Sequence, residues 1–285
     1  MTQRLTVAAE TPAREATSAS VGSLVGASAG SLVLDASISG SLKSPAMIHS
    51  ETIHLRPTTA LAERVLLPGD PGRALALAQF LLESPLMFNH HRGLWGYTGT
   101  ALDGEPLTIQ STGMGGPSAA IVLHELIALG VTRAIRVGTC GALDSSLCLG
   151  DMVVASEAIA ADGTSAALGA GKLTQADPLL VDALRGELER KPSRPHHVGR
   201  IVSTDLFYER DSKRNSGWRA DGAIVVEMEA SALFAVGANA GIQVACVLAV
   251  TDTFDAHGAR TRIDDEALVG AAEAMGTAAA GALAV

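Results

Sequence analysis

The feature that most restricts the fold is a repeated unit: a short apolar run rich in Val and Ile ends at Gly, Asp or Thr, and a segment of helical spacing follows. The runs are Arg64–Leu67, Leu107–Gln110, Ala134–Val137, Met152–Ala155, Ala223–Val226 and Val244–Val250. Runs this short and this apolar fit strands buried on both faces. The intervening spacing predicts helices over Pro71–Leu82, Pro117–Leu129, Asp177–Glu189, Glu229–Ala240 and Asp264–Ala284. Asp70 before Pro71 is a good N-cap with a Pro in the first turn, and Gly130 is a stop signal after the second helix. The alternation predicts one α/β domain over residues 51–285, with a central mixed, largely buried β-sheet flanked by helices.

Residues 1–50 read differently. Ala, Ser, Gly and Thr dominate without a sustained period of either kind, so the segment is expected to be a low-complexity, flexible extension. It has no unbroken apolar stretch behind a basic start, and Met47 could serve as an alternative translation start. Within the 285 residues, 47% are apolar and the mean hydropathy is +0.27, yet no uninterrupted apolar stretch is long enough for a membrane span. The net charge of −9 argues against a duplex nucleic-acid binder, which needs a dense Lys/Arg footprint. Cys140, Cys148 and Cys246 lack paired spacing, so neither a disulfide framework nor a zinc cluster is expected, and a reducing cytoplasm is the natural compartment.

Four places break the core pattern with polar groups at strand ends. After Leu67 comes Pro68-Gly69-Asp70-Pro71-Gly72-Arg73, a Gly-rich turn into a helix, where free N–H groups and a guanidinium could hold an anion. For this segment alone an ordinary strand–turn–helix with a solvated Arg is the favoured reading. Arg136 interrupts a run that should be buried on both faces, so it needs an internal acid or a bound anion. Thr139 and its neighbouring glycines follow at the strand exit, where α/β ligands bind. Glu227 and Glu229 flank Met228 where a strand turns into a helix. They either complement the helix dipole or accept vicinal sugar hydroxyls over an apolar floor. Asp252 follows a long apolar run, as a general acid raised by desolvation or as a plain cap. The pairs His90–His91 and His196–His197 read as loop histidines, His124 as a packing histidine in a helix, and Lys191–Arg200 as a solvated loop.

Taken in order, these segments resemble the nucleoside phosphorylase family that includes hexameric purine nucleoside phosphorylase and uridine phosphorylase. The matching pieces are PGDPGR at 68–73, NHHRGLWGYTG at 89–99, STGMGGPS at 111–118, IRVGTCGA at 135–142, STDLFY at 203–208, VEMEA at 226–230 and VTDTF at 250–254. The resemblance implies that Gly69, Arg73, Arg136 and Thr139 bind phosphate, joined by Arg92 from a neighbouring subunit. It implies that Met228 and Glu229 hold the ribose and that His54 reaches the ribose 5′-hydroxyl across the same interface. Phe207 would stack on the base, Val226 would line its pocket, and Asp252 would hydrogen-bond or protonate purine N7.

The implied reaction is phosphorolysis of the N-glycosidic bond of purine (deoxy)ribonucleosides, giving free base and (deoxy)ribose 1-phosphate. Such an enzyme is a pentosyltransferase. It needs no metal or organic cofactor, with inorganic phosphate as co-substrate. Cleavage creates positive charge on the ribose and negative charge on the base. Arginines that hold the phosphate, a carboxylate at the sugar and a proton donor at the base all meet that need. STGMGGPS and Asp162–Ser165 lean toward the uridine branch, but the Gln-x-Arg element of that branch is absent after Phe207-Tyr208, and Asp252 matches the purine members. Purine members also place an arginine well beyond that aspartate; Arg260 and Arg262 come earlier, so no helper is assigned. Alternatives are a pyrimidine nucleoside phosphorylase, a hydrolytic adenine thionucleosidase and a non-catalytic nucleoside-binding protein. The resemblance further implies nucleoside salvage and a dimer-based homohexamer, with neither nucleic acid nor membrane as partner.

Overall fold

The computed structural model describes residues 52–209, 211–255 and 259–284. The extension expected over 1–50 and the alternative start at Met47 lie outside them. The strands are β1 (Arg64–Leu67), β2 (Glu83–Asn89), β3 (Gly96–Thr100), β4 (Pro106–Gln110), β5 (Arg133–Ala142), β6 (Met152–Ala161), β7 (Leu173–Gln175), β8 (His196–Thr204), β9 (Val225–Glu227), β10 (Gln243–Phe254) and β11 (Arg260–Arg262). The helices are α1 (Pro71–Leu81), α2 (Gly116–Ala128), α3 (Gly163–Ala167), α4 (Pro178–Arg190), α5 (Ser212–Ala220), α6 (Ala230–Ala240) and α7 (Asp265–Ala282).

All the strands belong to one mixed sheet. β5 pairs with β10 in parallel along one edge, and its other edge is divided. The first half of that edge takes β1 in parallel, from Arg64 opposite Arg133 to Leu67 opposite Arg136. The last two residues take β9 antiparallel, with Gly141 opposite Val226. Between the two partners, residues 137–140 have no strand on that side. The pairings β5–β10, β10–β6, β6–β8, β8–β9 and β9–β5 form a closed circuit, while β1–β4–β3–β2 runs outward as an open branch.

The period of two assigns the faces. Val65 and Leu67 of β1, with Cys246, Leu248 and Val250 of β10, join Leu123, Leu126, Leu233 and Phe234 of α2 and α6 in one core. Leu66, Ile135, Val137, Val247 and Ala249 point the other way, onto Leu77 and Leu81 of α1, Leu184 of α4 and Met275 of α7. The Ala- and Gly-rich face of α7 permits close approach, since a Cβ on Gly276 would lie 2.6 Å from a Leu77 methyl. The layers therefore agree with the predicted architecture.

Several local expectations are corrected. Lys191–Arg200 is not wholly a loop, because His196 and His197 open β8 and pair in register with Met152 and Val153. A strand that starts half-exposed lacks the apolar signature of its buried end. His124 is exposed on α2, since that helix packs through Val122, Leu123 and Leu126.

Candidate active site

A cavity of about 580 Å³ opens where the edge of β5 is divided. Gly69 and Arg73 line it, with Arg136, Thr139, Phe207, Val226, Met228, Glu229 and Asp252. Every candidate that the sequence placed in one protomer's own site thus meets in one space, at the ends of β1, β5, β9 and β10. That is where ligands bind in α/β sheets.

At the exit of β1, Asp70 caps α1 by accepting the backbone N–H of Arg73 at 2.6 Å. Gly69 is needed for close approach: a Cβ there would sit 3.2 Å from the Gly113 carbonyl oxygen. No side chain among the described residues pairs with the Arg73 guanidinium. Burial lowers its pKa; Asp70 partly offsets this, while Arg136 and Arg262 lower it further, so three cations face this end of the cavity.

Arg136 is almost fully buried, and the question left open by the sequence is answered by two internal acids. Its Nε donates to Glu227 Oε2 at 2.9 Å and its Nη2 pairs with Glu229. Burial works against the charge, but Glu229 and Glu227 outweigh it and hold the pKa above the ordinary arginine value. Nη1 is buried without a hydrogen-bond partner among the described residues. Gly138 lets the guanidinium fold back along its strand, since a Cβ there would be 2.8 Å from Cζ.

The two carboxylates sit on two different helix ends. Glu227 closes β9 and accepts the N–H groups of Glu229 and Ala230 at the start of α6, at 2.9 and 3.0 Å, as well as the Ser203 hydroxyl. Glu229 is the N-cap residue of α6 but makes no side-chain bond there. Its Oε1 instead accepts the Gly115 N–H at 2.5 Å, at the start of α2. The dipole reading therefore holds for Glu227, whereas Glu229 serves a different helix from its own. Burial raises the Glu229 pKa despite the opposing pull of Arg136.

Asp252 is aimed by a bulge. Val250 pairs with Cys140 but Asp252 pairs with Gly141, so Thr251 is an extra residue on β10. Its burial agrees with the sequence reading, and it has company that the sequence left unassigned. Oδ1 accepts from Arg260 Nε at 2.6 Å and from Arg262 Nη1 at 3.1 Å, and Oδ2 accepts the Thr251 hydroxyl at 2.9 Å. Both arginines come from β11, which folds back antiparallel on β10 with Asp252 opposite Arg262. Phe207 stands beside them, with Arg260 Cζ 5.1 Å from its ring centroid. Cys140 and Cys246 are buried near Arg136, and burial pushes both thiols up, leaving them neutral. All three cysteines are free.

His54 and Arg92 do not line this cavity. Glu125 of α2 holds the His54 segment, accepting from the N–H groups of Ile53, His54 and Leu55 and bonding the His54 ring at 2.7 Å. Arg92 is exposed in a tight turn at φ 58°, a left-handed conformation for a non-glycine residue. Buried Asn89 grips that turn, donating to the Leu94 carbonyl and accepting from the Arg56 N–H, while the His91 ring bonds the His54 carbonyl at 3.1 Å. The two segments are thus held as one unit.

Among the described residues no group of three or more His, Cys, Asp or Glu side chains could hold a metal ion, and no helix is long and apolar enough to cross a membrane. Comparison with known proteins agrees with the fold. Residues 63–284 match the Phosphorylase superfamily, and the chain belongs to that family. It is 38% identical over 196 residues to a purine nucleoside phosphorylase DeoD-type of Clostridium novyi, covering 68% of this chain and 83% of that protein. Similar proteins of the same description occur in Clostridium beijerinckii (37% identical; 71% of this chain, 86% of that protein) and Geobacillus kaustophilus (37%; 70% and 86%).

Proposed function

We propose that the chain is a purine nucleoside phosphorylase, a pentosyltransferase that cleaves purine (deoxy)ribonucleosides with inorganic phosphate. The observation that carries this reading is one cavity with a cationic end, a carboxylate midway and a second acid beside an aromatic wall. Arg73 and the unpaired Nη1 of Arg136 suit a phosphate dianion, with Gly69 and Thr139 beside them. Met228 and Glu229 suit the sugar, and Phe207 and Val226 the base, with Asp252 at its N7. A phosphate oxygen forms the new bond to C1′ as the C1′–N bond breaks. The electron pair leaves with the base, and a proton reaches N7. Holding both reactants in line, with fixed charges where charge develops, is the catalytic contribution of these residues. The reaction uses no metal or organic cofactor.

His54 and Arg92, set away from their own cavity, would complete that of a neighbour. We therefore propose a dimer-based homohexamer acting in cytoplasmic nucleoside salvage. Base release from inosine, guanosine, adenosine, 5′-methylthioadenosine and uridine, each with and without phosphate, tests the reading. Phosphate-dependent release from a purine nucleoside is expected. Release from uridine alone, release without phosphate, or no release would overturn it in favour of a pyrimidine enzyme, a nucleosidase or a binding protein respectively. A fully active species of monomer mass by light scattering would refute the assembly.

A further inference from the structure

We infer that Glu125 is a positioning residue: it fixes the His54 imidazole as a hydrogen-bond acceptor, and so makes the neighbouring site select nucleosides with a free 5′-hydroxyl. This rests on the phosphorolysis and the assembly proposed above. Glu125 stands at the edge of the buried face of α2, next to Leu126 in the core. Its carboxylate is surrounded by donors from one short segment. Oε1 accepts the N–H groups of Ile53 and His54 at 3.1 and 3.0 Å and contacts the His54 ring Nδ1 at 2.7 Å. Oε2 accepts the Leu55 N–H at 2.6 Å. Burial works against the charge, but the donors of Leu55, His54 and Ile53 outweigh it and hold the pKa below the ordinary carboxylate value.

An ionised carboxylate only accepts, so the proton between the two side chains belongs to His54 Nδ1. In the neutral ring that leaves Nε2 as an acceptor. Nε2 has no hydrogen-bond partner among the described residues, and the side chain keeps 26% of its surface exposed. The main chain here is already anchored without the ring. Three backbone N–H groups meet Glu125, the His54 carbonyl accepts from the His91 ring at 3.1 Å, and Leu55 is fully buried. The further bond from the ring to Glu125 sets its tautomer and its orientation.

An acceptor at Nε2 pairs with a group that donates. A 5′-hydroxyl donates, whereas hydrogen, fluorine or a methylthio group at the same carbon does not. A site built around such an acceptor loses binding to any analogue that leaves it unpaired. The contact lies away from the breaking C1′–N bond, so it places the sugar and takes no part in the bond changes.

The test takes the purine nucleoside that the panel above ranks first, with its 5′-deoxy and 5′-deoxy-5′-fluoro analogues. It compares kcat/KM in the unaltered protein, in Glu125→Gln, in His54→Phe and in the double variant. The unaltered protein should favour the parent nucleoside over both analogues by roughly tenfold, the loss typical of one hydrogen bond. In Glu125→Gln the amide can turn either a donor or an acceptor to the ring, so the tautomer is no longer dictated. The ratio of parent to 5′-deoxy analogue should then fall by roughly threefold or more, mainly through slower turnover of the parent. His54→Phe should bring the ratio close to one, and the double variant should match His54→Phe. Equal slowing of both substrates by Glu125→Gln would overturn the proposal and leave Glu125 only a clamp on the backbone. An unchanged ratio in Glu125→Gln or in His54→Phe would overturn it too. Should Glu125→Gln fail to fold, the 5′-fluoro analogue decides in the unaltered protein, because turnover equal to the parent would show that no donor is required. Absence of phosphate-dependent release from every purine nucleoside would instead sink the proposed function itself.

Discussion

Replacing Glu227 by Gln keeps the side chain's size and removes its charge at a buried position of the cavity wall. The native carboxylate has no exposed surface and accepts from Arg136 Nε, from Ser203 and from two backbone N–H groups of α6. Gln retains one acceptor oxygen and turns the other into a donor that faces existing donors. Breaking a buried ion pair from one side costs about 3–5 kcal/mol. Glu229 still pairs with Arg136 in the variant, so the lower figure of about 3 kcal/mol applies. For a domain of this size that corresponds to a drop in Tm of roughly 6–12 °C. Urea unfolding and thermal melts at equal protomer concentration measure it, because the assembly proposed above would make stability depend on concentration. Ser203→Ala, which removes one partner and no charge, should cost about 1 kcal/mol. A loss below about 1 kcal/mol for Glu227→Gln would refute Glu227 as the counter-charge that makes buried Arg136 tolerable.

Gly138→Ala should raise the KM for phosphate several-fold with little change in fold, because its Cβ would displace the Arg136 guanidinium; phosphate saturation curves check this. Arg92→Ala and Asp252→Asn should each be inactive alone. Reassembled together they should regain activity, since in the assembly proposed above a subunit lacking Arg92 would receive it from its partner; no recovery would place Arg92 in its own protomer's chemistry. Acid should weaken the fold. The hydrogen bond from Arg64 holds the Asp103 pKa low. Burial alone would raise that of Glu125, but the donors of Leu55, His54 and Ile53 outweigh it. Both folded values lie below the unfolded ones, so this stabilisation is complete above about pH 5 and disappears as pH falls through the lower values. Glu229 acts in the opposite sense, because its raised pKa favours the native state as it protonates. Glu125→Gln should flatten the acid limb of stability against pH in urea titrations, and an unchanged slope would remove that carboxylate from the account.

Much of the fold was legible because its signals are local. β1 falls on Arg64–Leu67 as read, and α1, α2, α4, α6 and α7 agree within a few residues, since their caps and apolar faces lie in the segments themselves. β2, β3 and α5 escaped notice. α5 is almost wholly polar, and β2 is mostly exposed, so neither shows an apolar period. β5 and β6 run beyond their apolar cores because Thr139 and Glu157 can be carried by pairing with neighbours. At the site, Arg136 announced its need for an anion, but its partners lie some ninety residues away and only the fold brings them together. Arg260 and Arg262 were visible near Asp252 in sequence. What could not be read was the reversal of chain direction that turns them back onto it. Glu229 looked like a cap for its own helix, and its bond to the start of α2 spans 114 residues.

A closed ring of strands has consequences for tolerance. In an open sheet a strand can shift along its neighbour and carry its side chains with it, but around a circuit each such shift would have to be matched by every other member. The relative heights of Thr139, Glu227 and Asp252 are therefore over-determined. Arg92 lies in the turn between β2 and β3 of the outward branch, which has an end and can be altered without disturbing that circuit, and His54 is tied to that turn through His91. In the assembly proposed above, variants that change how copies meet one another should consequently arise more readily than variants that move the reacting groups apart. A protein engineer seeking altered assembly would begin at β2 and β3, and one seeking altered chemistry would substitute side chains on the ring while leaving its backbone in place.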